Sequence, residues 1–377
     1  MDDSIPREAG RDKEKSAHAG PPFLIDRSGA ELDDQCGQAF WWNRLEGKRG
    51  IMPRAEAAAL QVGREIHEDL ATIAVGPDVS PDGLHRWASA LLSGMAGDEP
   101  SQQVLEFLYR RLGWVVAFAL FVEPTIRETF ENVLVEGELI LDRSPLLVAT
   151  TPDRILRHRQ EGYLVYREYK STISAGPKWM DSWAYAPQLH TGMAAVSEEF
   201  GEPVRYAQVM GLLKGTPSYT DGRLLHPFVW GYYNEKTGGW TSEYENAKSS
   251  GWRPMPVWEY PRGVVAWITE VVGREAALAV FPHTAPVFYN ARLLEDWIRR
   301  RTHREQVIAA VKEECRSDPA TRAIYFERRT RSCRPAFGDA CPYRLACWNA
   351  VVEANPLASE DYIERVPHHE IELTGAE

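Results

Sequence analysis

The stretch from Gly162 to Thr172, GYLVYREYKST, carries a carboxylate and an ammonium group two positions apart, Glu168 and Lys170. Its apolar and aromatic residues predict a β-strand. Alternate side chains of a strand project from one face, so the two opposite charges should lie side by side. Asp153 lies near the end of the preceding predicted strand. If the two strands pair as a hairpin, the carboxylates of Asp153 and Glu168 converge at one edge of the sheet.

Two carboxylates at a sheet edge form an oxygen-rich pocket that suits a hard cation such as Mg²⁺ or Mn²⁺. A divalent ion there can generate hydroxide from water and neutralise the charge of a phosphoryl transition state. Lys170 can then orient the attacking water or stabilise the developing negative charge. The pattern predicts a hydrolytic site. The alternative is that Glu168 and Lys170 are a solvent-facing pair on a half-exposed strand.

His67 is a candidate nitrogen ligand for the same cation. It follows Gly63 by one turn of a predicted helix and shares a stripe with Leu70 and Ala74. A neutral imidazole on that stripe can bind metal, although a histidine so placed is also a common core residue. The glycine is expected to allow close approach of another backbone.

Gln188 follows Pro187 at the start of a further predicted helix, soon after the Lys170 strand. The N-terminus of a helix favours phosphate, which makes this glutamine a candidate for supporting the site or contacting a nucleic acid. The alternative is a glutamine on the surface without such a role.

Taken in order, Gly63–His67, Pro152–Asp153, Glu168-Tyr169-Lys170 and Gln188 resemble the motifs of the PD-(D/E)XK nuclease superfamily, specifically its RecB-like branch. The resemblance implies a restriction-endonuclease-like mixed sheet core. It also implies that His67, Asp153 and Glu168 bind metal with help from the Tyr169 carbonyl, that Lys170 is the catalytic lysine, and that Gln188 supports the site. The chain departs from the pattern at Gly192, where the branch has a tyrosine.

Four cysteines extend the resemblance. Cys36 precedes the predicted core, and Cys333, Cys341 and Cys347 follow it with the spacing C-x7-C-x5-C. Four thiolates suit a 4Fe–4S cluster or a zinc ion, and the lack of a C-x2-C knuckle favours iron–sulfur. The arrangement looks like that of CRISPR-associated adaptation nucleases, the AddB nuclease domain and phage-encoded exonucleases. Cys315 is an alternative to Cys36 as the fourth ligand.

These residues require an α/β core with helical additions at both ends, joined by the metal cluster. Residues 1–22 are expected to be a disordered tail, 23–130 an N-terminal helical region with Cys36 and His67, 131–240 the nuclease core, and 241–377 a C-terminal helical region. The core is predicted as three strand segments in a meander, a helix from Pro187 to Gly201, and two further strands. A short helix around Cys36, a helix from Gln102 to Phe121 and a helix capped by Asn290 complete the expectation.

Composition sets outer bounds on function. The chain has 377 residues, of which 44% are hydrophobic, enough to form a sizeable core. The formal charge of −11 disfavours indiscriminate coating of nucleic acid but allows a local basic groove. Basic clusters occur at Trp297–Arg304 and Glu327–Arg334, the second near the cluster cysteines, where a DNA strand is expected to pass. The apolar run Leu112–Val122 is too short to cross a bilayer, so a buried helix and no membrane partner are expected. The polar N-terminal residues contain no apolar signal segment, so a cytoplasmic location is expected by default.

The resulting hypothesis is a metal-dependent DNA exonuclease that acts on single strands or ends, in repair, recombination or the processing of phage or mobile-element DNA. Protein partners in a recombination or replication complex would fit that role, and no motif indicates the oligomeric state. Two alternatives remain open at this point. One is a catalytically inactive DNA-binding or scaffold protein with the same fold and cluster; the other is a zinc-stabilised protein with an unrelated hydrolase site.

Overall fold

The computed structural model describes residues 22–47, 49–76, 80–93, 101–215, 226–243, 247, 251–333 and 341–366. The predicted tail 1–22 lies outside the described residues except for its last position. The fold is mixed α/β and contains mixed sheets, as expected from the sequence. Along the described ranges, none of the helices combines the length and the apolar character that a membrane span needs.

Twelve strands occur in the described ranges: β1 (Phe23–Asp26), β2 (Ile51–Pro53), β3 (Phe130–Val135), β4 (Leu139–Arg143), β5 (Leu146–Thr150), β6 (Arg154–His158), β7 (Leu164–Thr172), β8 (Val204–Leu213), β9 (Trp230–Asn234), β10 (Gly239–Thr241), β11 (Trp252–Pro256) and β12 (Tyr362–Glu364). The α-helices of the same ranges are α1 (Arg27–Gln35), α2 (Gly37–Phe40), α3 (Arg54–Val75), α4 (Pro81–Ser93), α5 (Gln102–Ala117), α6 (Glu123–Thr129), α7 (Pro177–Ser182), α8 (Pro187–Phe200), α9 (Gly263–Ala266), α10 (Gly273–Leu278), α11 (Ala291–Ser317), α12 (Pro319–Tyr325), α13 (Thr330–Cys333), α14 (Arg344–Trp348) and α15 (Ala350–Ala354).

The central sheet has the order β3-β6-β7-β8, with antiparallel pairs followed by one parallel pair. A parallel pair requires a crossover, which α7 and α8 supply between β7 and β8. Both faces of the sheet are covered. Val165 packs toward α3 and α5, whereas its neighbour Leu164 packs toward Leu189 and Met193 of α8. This period of two explains why consecutive residues of β7 from Leu164 to Tyr169 are buried, whichever face they project from.

The predicted meander differs from the observed one because two of its three strand segments are broken. The first predicted segment is divided into β3 and β4, and the second into β5 and β6. β3 pairs with β6, while β4 pairs with β5. The break between β3 and β4 falls at Glu136, a non-glycine residue with a positive φ of 52°. Beyond the break, β4 and β5 form a second sheet with β1, which pairs with β5 in parallel.

Segments from the two ends of the described chain pack together. β2 pairs with β12, and the buried ring of Trp41 contacts Phe326 edge-on. The buried Arg301 of α11 donates to Asp33 of α1 at 2.8 Å, so the basic cluster at 297–304 partly serves packing rather than solvent exposure. The N-terminal and C-terminal segments therefore share one apolar cluster, which contains Cys36 and Cys347.

Several helix boundaries agree with the sequence expectations. α8 begins at Pro187 and ends before Gly201, whose φ of 67° is the left-handed conformation that glycine adopts readily at a helix end. Asn290 caps α11 by accepting a hydrogen bond from the Leu293 amide at 3.1 Å. The apolar run Leu112–Val122 lies in α5 and in the π-helical turn Phe118–Val122 that follows it. Most of its side chains are buried.

One local prediction was wrong. Cys36 is not inside a helix but lies in extended backbone between α1 and α2, with φ of −164° and ψ of 113°. Its neighbour Gly37 lies against the backbone of Phe326, where a Cβ would come within 2.9 Å. The close approach of the C-terminal segment therefore coincides with the interruption of the helix.

Candidate functional site

Helix α3 carries His67 toward the sheet. Ile66, Leu70 and Ile73 of the same helix are buried in the main apolar cluster, which fixes the rotation of the helix. At its C-terminal end, the Ala74 carbonyl accepts a hydrogen bond from the side-chain amide of Asn132 at 2.7 Å. These contacts hold the imidazole at the sheet while leaving its side chain 27% exposed.

Asp153 directly precedes β6 and is buried. Its Oδ2 accepts a hydrogen bond from the Tyr169 amide of β7, and its Oδ1 lies 2.9 Å from His67 Nδ1. The next residue, Arg154, projects away from this site and donates to both carboxylate oxygens of Glu123, at 2.6 and 2.9 Å. A buried bidentate pair on one side of the strand thus helps to hold the carboxylate on the other side.

Glu136 completes a group of three at the break between β3 and β4. Its amide donates to the Asp153 carbonyl at 3.3 Å, and its Oε1 lies 3.6 Å from His67 Nδ1. His67, Glu136 and Asp153 each offer a ligand atom, and these atoms all lie within 4.8 Å of one another. One imidazole nitrogen and two carboxylates are donors that suit a divalent ion such as Mn²⁺ or Mg²⁺.

The sequence pattern did not single out Glu136. The only local signal is Glu136-Gly137 inside an otherwise strand-like segment, which favours a turn or bulge. Gly63, in contrast, does not have the role expected of it. No described atom lies within 4 Å of the place where its Cβ would be, so it is not required for close backbone approach.

Glu168 belongs to a second, adjacent cluster. Its buried carboxylate accepts hydrogen bonds from Lys170 Nζ at 2.7 Å, from Tyr166 Oη at 2.9 Å and from the Gln188 side-chain amide. Glu168 lies outside the set formed by His67 and its two carboxylates. The structure thus brings Glu168, Lys170 and Gln188 together, as the sequence predicted. They bind one another and lie outside the group formed by His67, Glu136 and Asp153.

Tyr169 and Lys170 connect the two clusters. The Tyr169 amide binds Asp153, while its side chain points to the opposite face and contacts Phe118, with ring centroids 5.7 Å apart. The charge of Lys170 acts on both groups: it contributes to the lowered pKa of Asp153 and works against the raised pKa of His67. The ammonium group therefore lies close enough to act on an anion held at either cluster.

The missing tyrosine at position 192 has a structural counterpart. A Cβ at Gly192 would lie 2.5 Å from the ring of Tyr166. That ring comes from β7, and its hydroxyl reaches the Glu168 carboxylate. The bare helix surface at Gly192 therefore makes room for a tyrosine that the strand supplies.

The protonation of His67 depends on its carboxylate neighbours. Burial lowers the pKa of His67, but the charge and hydrogen bond of Asp153 and the hydrogen bond of Glu136 outweigh it and raise the pKa to about 10. Asp153 responds in the opposite sense. Burial raises its pKa, but His67, Lys170 and the Tyr169 amide together lower it below the usual range. In the absence of metal, a proton on His67 offsets part of the negative charge of the two neighbouring carboxylates.

The predicted cluster cysteines lie in one region of the fold. Cys36 and Cys347 are buried in the same apolar cluster, against which Cys341 packs, and the Cys341 amide donates to the Cys333 carbonyl at 3.1 Å. Burial raises the pKa of Cys347 to about 11, with further increases from Cys341 and Cys36, against a hydrogen bond from Trp42 that lowers it. Among the described residues, no three of these sulfur atoms lie mutually within 4.8 Å.

Cys315 is also buried in that cluster. Burial raises the pKa of its thiol, and the charged groups that act on it most are Glu314 and Arg322. The thiol of Cys347, by comparison, is influenced directly by Cys341 and Cys36. Cys36, Cys315 and Cys347 share one apolar cluster, so the choice of Cys36 over Cys315 as the fourth ligand stays a prediction.

The sequence predicts that four arginines lie along a path for DNA: Arg328, Arg329, Arg331 and Arg334. Arg328 lies over the ring of Trp348 at 5.0 Å, and Arg329 donates to the backbone of Asp34. The side chains of the last two lie outside the described part of the chain. The first two therefore take part in packing of the C-terminal segment.

Comparison of the chain with models of protein families and with curated proteins found no match. The functional interpretation accordingly depends on the geometry and chemistry of the two clusters.

We expect metal binding to release a proton from His67. With a folded pKa of about 10 and an ordinary value of 6.5, the imidazole is protonated at neutral pH. Its stabilising effect on the metal-free fold is complete below pH 6.5 and is lost as pH rises through 10. Titration calorimetry with Mn²⁺ at pH 7.5, in buffers of different ionisation enthalpy, should show release of about one proton per ion. His67→Gln should abolish the release; a wild-type protein that releases none would contradict the assignment.

We expect Gly192→Ala to destabilise the fold, because the new methyl group must displace the Tyr166 ring. The free energy of unfolding in urea should fall by about 1–3 kcal/mol. Gly63→Ala is the matched control, since it also replaces a helical glycine but meets no described atom, and it should raise stability by up to about 1 kcal/mol. Combining Gly192→Ala with Tyr166→Leu should cost less than the sum of the two. Equal effects of the two glycine substitutions would show that Tyr166 does not occupy this space.

Proposed function

We propose that the protein is a metal-dependent deoxyribonuclease with a restriction-endonuclease-like core. The observation that carries the proposal is the convergence of His67, Glu136 and Asp153 within 4.8 Å, beside a lysine that β7 presents next to them. The central sheet supports it, because antiparallel strands followed by a parallel pair place Asp153 and the Glu168–Lys170 strand as neighbours.

The donor set fits a divalent cation. His67, Glu136 and Asp153 would hold Mg²⁺ or Mn²⁺, with Mn²⁺ the more tolerant of the imidazole nitrogen. When bound, such an ion supplies a polarised water and offsets the charge of a phosphodiester under attack. Glu168 is not placed to be the third ligand in this arrangement, and Glu136 takes that role in the proposal.

The chain's own residues orient the reaction. Glu168 fixes the ammonium of Lys170 through a 2.7 Å hydrogen bond, and the hydroxyl of Tyr166 and the amide of Gln188 fix Glu168 in turn. A lysine held this way keeps its remaining N–H donors for the attacking water or the developing negative charge. Gln188 acts on the reaction through Glu168, as a positioning residue.

The substrate we propose is DNA, cleaved at ends or in single strands, in repair, recombination or the processing of phage or mobile-element DNA. The shared cluster of N-terminal and C-terminal segments supports this choice, because it adds packed structure at Trp41 and Phe326 outside the central sheet. In this proposal, such additions would restrict the access of a continuous duplex. A cytoplasmic site of action would suit this substrate.

We also propose that Cys36, Cys333, Cys341 and Cys347 hold a 4Fe–4S cluster. Four thiolates suit either a 4Fe–4S cluster or a tetrahedral zinc ion, and the absence of a C-x2-C knuckle favours the 4Fe–4S cluster. Cys36 and Cys347 lie in the apolar cluster against which Cys341 packs, so a bound cluster would join the two terminal segments and give a structural role to metal binding.

A non-catalytic DNA-binding or scaffold protein is the second candidate. One observation favours it: both oxygens of Glu168 are already engaged, by three donors from Tyr166, Lys170 and Gln188. A carboxylate satisfied in this way could serve packing alone. DNA binding without metal-dependent cleavage would support this candidate over the nuclease.

The nuclease proposal is tested with end-labelled single-stranded and double-stranded DNA and the anaerobically purified protein. Asp153→Ala and Lys170→Ala should each lower the cleavage rate in Mg²⁺ or Mn²⁺ by at least about 10²–10³-fold, because they remove a ligand or the held ammonium. Glu198→Gln, which removes only a surface partner of Arg143, is the control and should cleave normally. Wild-type rates in both site variants would refute the proposal.

The cluster proposal predicts a brown protein with about four iron and four sulfide per chain after anaerobic purification. Cys347→Ala should lose both the iron and the colour, because one of the four thiolates is removed. Cys315→Ala replaces another buried cysteine of the same region and should keep them. Iron retained by the first variant, or a colourless wild type with one zinc, would contradict the assignment.

A further inference from the structure

The indole ring of Trp42 is enclosed between the two terminal segments. The residue lies in the π-helical turn Trp41–Leu45, and its side chain has no exposed surface. Its Nε1 donates a hydrogen bond to the sulfur of Cys347 at 3.3 Å, and both groups are buried. The N-terminal segment thus contacts one of the C-terminal cysteines directly, across 305 positions of sequence.

A second contact fixes this arrangement. The side-chain amide of Asn43, the residue after Trp42, donates to the Tyr343 hydroxyl at 2.6 Å. The Cys347 amide donates to the Tyr343 carbonyl at 3.0 Å, so these two residues lie four apart on one face of the helical turn at α14. Adjacent residues of the N-terminal turn therefore bind the same face of one C-terminal helix, which fixes the direction of the indole N–H.

A cation covers the indole ring. The buried guanidinium of Arg322 lies 4.6 Å from the centroid of the Trp42 ring and is itself held by an ion pair with Glu353. A guanidinium over the face of an indole ring is attracted to it. The cation draws electron density from the ring, which leaves the N–H at the ring edge a stronger donor. Arg322 therefore holds the ring in place and strengthens the hydrogen bond to the sulfur.

The acceptor in this hydrogen bond is weak as a thiol and strong as a thiolate. The described residues offer the Trp42 N–H no acceptor besides the Cys347 sulfur. A neutral thiol accepts hydrogen bonds poorly, so a buried donor that faces one is incompletely satisfied. A cysteine binds metal as a thiolate, whose negative charge makes the hydrogen bond a charge-assisted one. The donor is therefore suited to a sulfur that carries a metal ion.

The neighbouring tryptophan has a different acceptor. Trp41 is as fully buried as Trp42, and the guanidinium of Arg322 also lies over its ring, at 5.7 Å. Its Nε1, however, donates to the Glu46 carboxylate at 2.9 Å. An indole N–H with a carboxylate acceptor is satisfied without metal. Trp41 is therefore a matched comparison for Trp42.

We infer that Trp42 is a positioning residue of the cysteine metal site, and that its indole N–H, held by Arg322, binds the metal-bound sulfur of Cys347. The inference rests on the proposed four-cysteine cluster and adds to it a residue that is not a ligand. A hydrogen bond to a ligand sulfur helps to retain the metal and stabilises the more negative, reduced state of an iron–sulfur cluster. Trp42 therefore strengthens metal binding and raises the reduction potential of the cluster.

The test is the midpoint potential of the anaerobically purified full chain, measured by titration with dithionite and followed by electron paramagnetic resonance. Trp42→Phe removes the N–H and keeps an aromatic ring. The potential should fall by about 59 mV, which corresponds to a tenfold loss of preference for the reduced state in a one-electron couple. Trp41→Phe is the matched control and should leave the potential and the iron content unchanged. An unchanged potential in Trp42→Phe, or equal shifts in the two variants, would overturn the inference.

A labelled protein keeps the test decisive if Trp42→Phe assembles no cluster. With the indole nitrogens isotopically labelled, pulsed paramagnetic resonance of the reduced wild-type cluster should show coupling to one indole nitrogen, because Trp42 contacts a ligand sulfur. The coupling should persist in Trp41→Phe. A wild-type cluster without any such coupling would rule out the contact.

Zinc provides a second readout. If the cysteines hold one zinc ion in place of iron, the iron–sulfur proposal fails while the inference still applies, and Trp42→Phe should bind zinc at least about tenfold more weakly than Trp41→Phe in competition with a chelator. Equal zinc affinities, or a chain that binds neither metal at these cysteines, would overturn the inference. These outcomes are separate from the nuclease proposal, which the cleavage rates of Asp153→Ala and Lys170→Ala decide.

Discussion

A single hydrogen-bonding requirement at the edge of β7 organises the candidate site. β7 continues past the point where β6 begins, so the Tyr169 amide has no backbone partner on the neighbouring strand. The carboxylate of Asp153 accepts that hydrogen bond. Because a buried amide without an acceptor is costly, the sheet itself stabilises a buried carboxylate at this position. The other oxygen of Asp153 then remains for His67.

The break between β3 and β4 follows from the same arrangement. The Asp153 carbonyl accepts a hydrogen bond from the Glu136 amide at the point where the chain passes from the central sheet to the sheet that contains β4 and β5. Glu136 has a positive φ there, which non-glycine residues rarely adopt. Two carboxylates and an imidazole are thereby brought to one place. The buried pair of Arg154 with Glu123 supports this arrangement from the opposite face of β6, because it anchors the residue next to Asp153.

Features encoded by local sequence could be predicted, whereas features that depend on partners distant in sequence could not. The start of α8 at Pro187 and the cap at Asn290 depend on residues within one helical turn, and both agree with the structure. The role of Glu136 depends on the pairing of β3 with β6, which one strand alone does not reveal. The extended backbone of Cys36 likewise depends on contact with a segment nearly 300 residues away.

The two acidic clusters show how surroundings divide the same residue type between two tasks. Glu168 is surrounded by donors, so its charge is already compensated by Lys170, Tyr166 and Gln188 and it serves to orient them. Asp153 and Glu136 share one compensating proton on His67, which a divalent cation can replace. A charge balanced by fixed hydrogen bonds resists exchange, whereas one balanced by a titrating proton permits it. The difference between these counter-charges, rather than the spacing of carboxylates in the sequence, favours the group at His67 as the place for a metal ion.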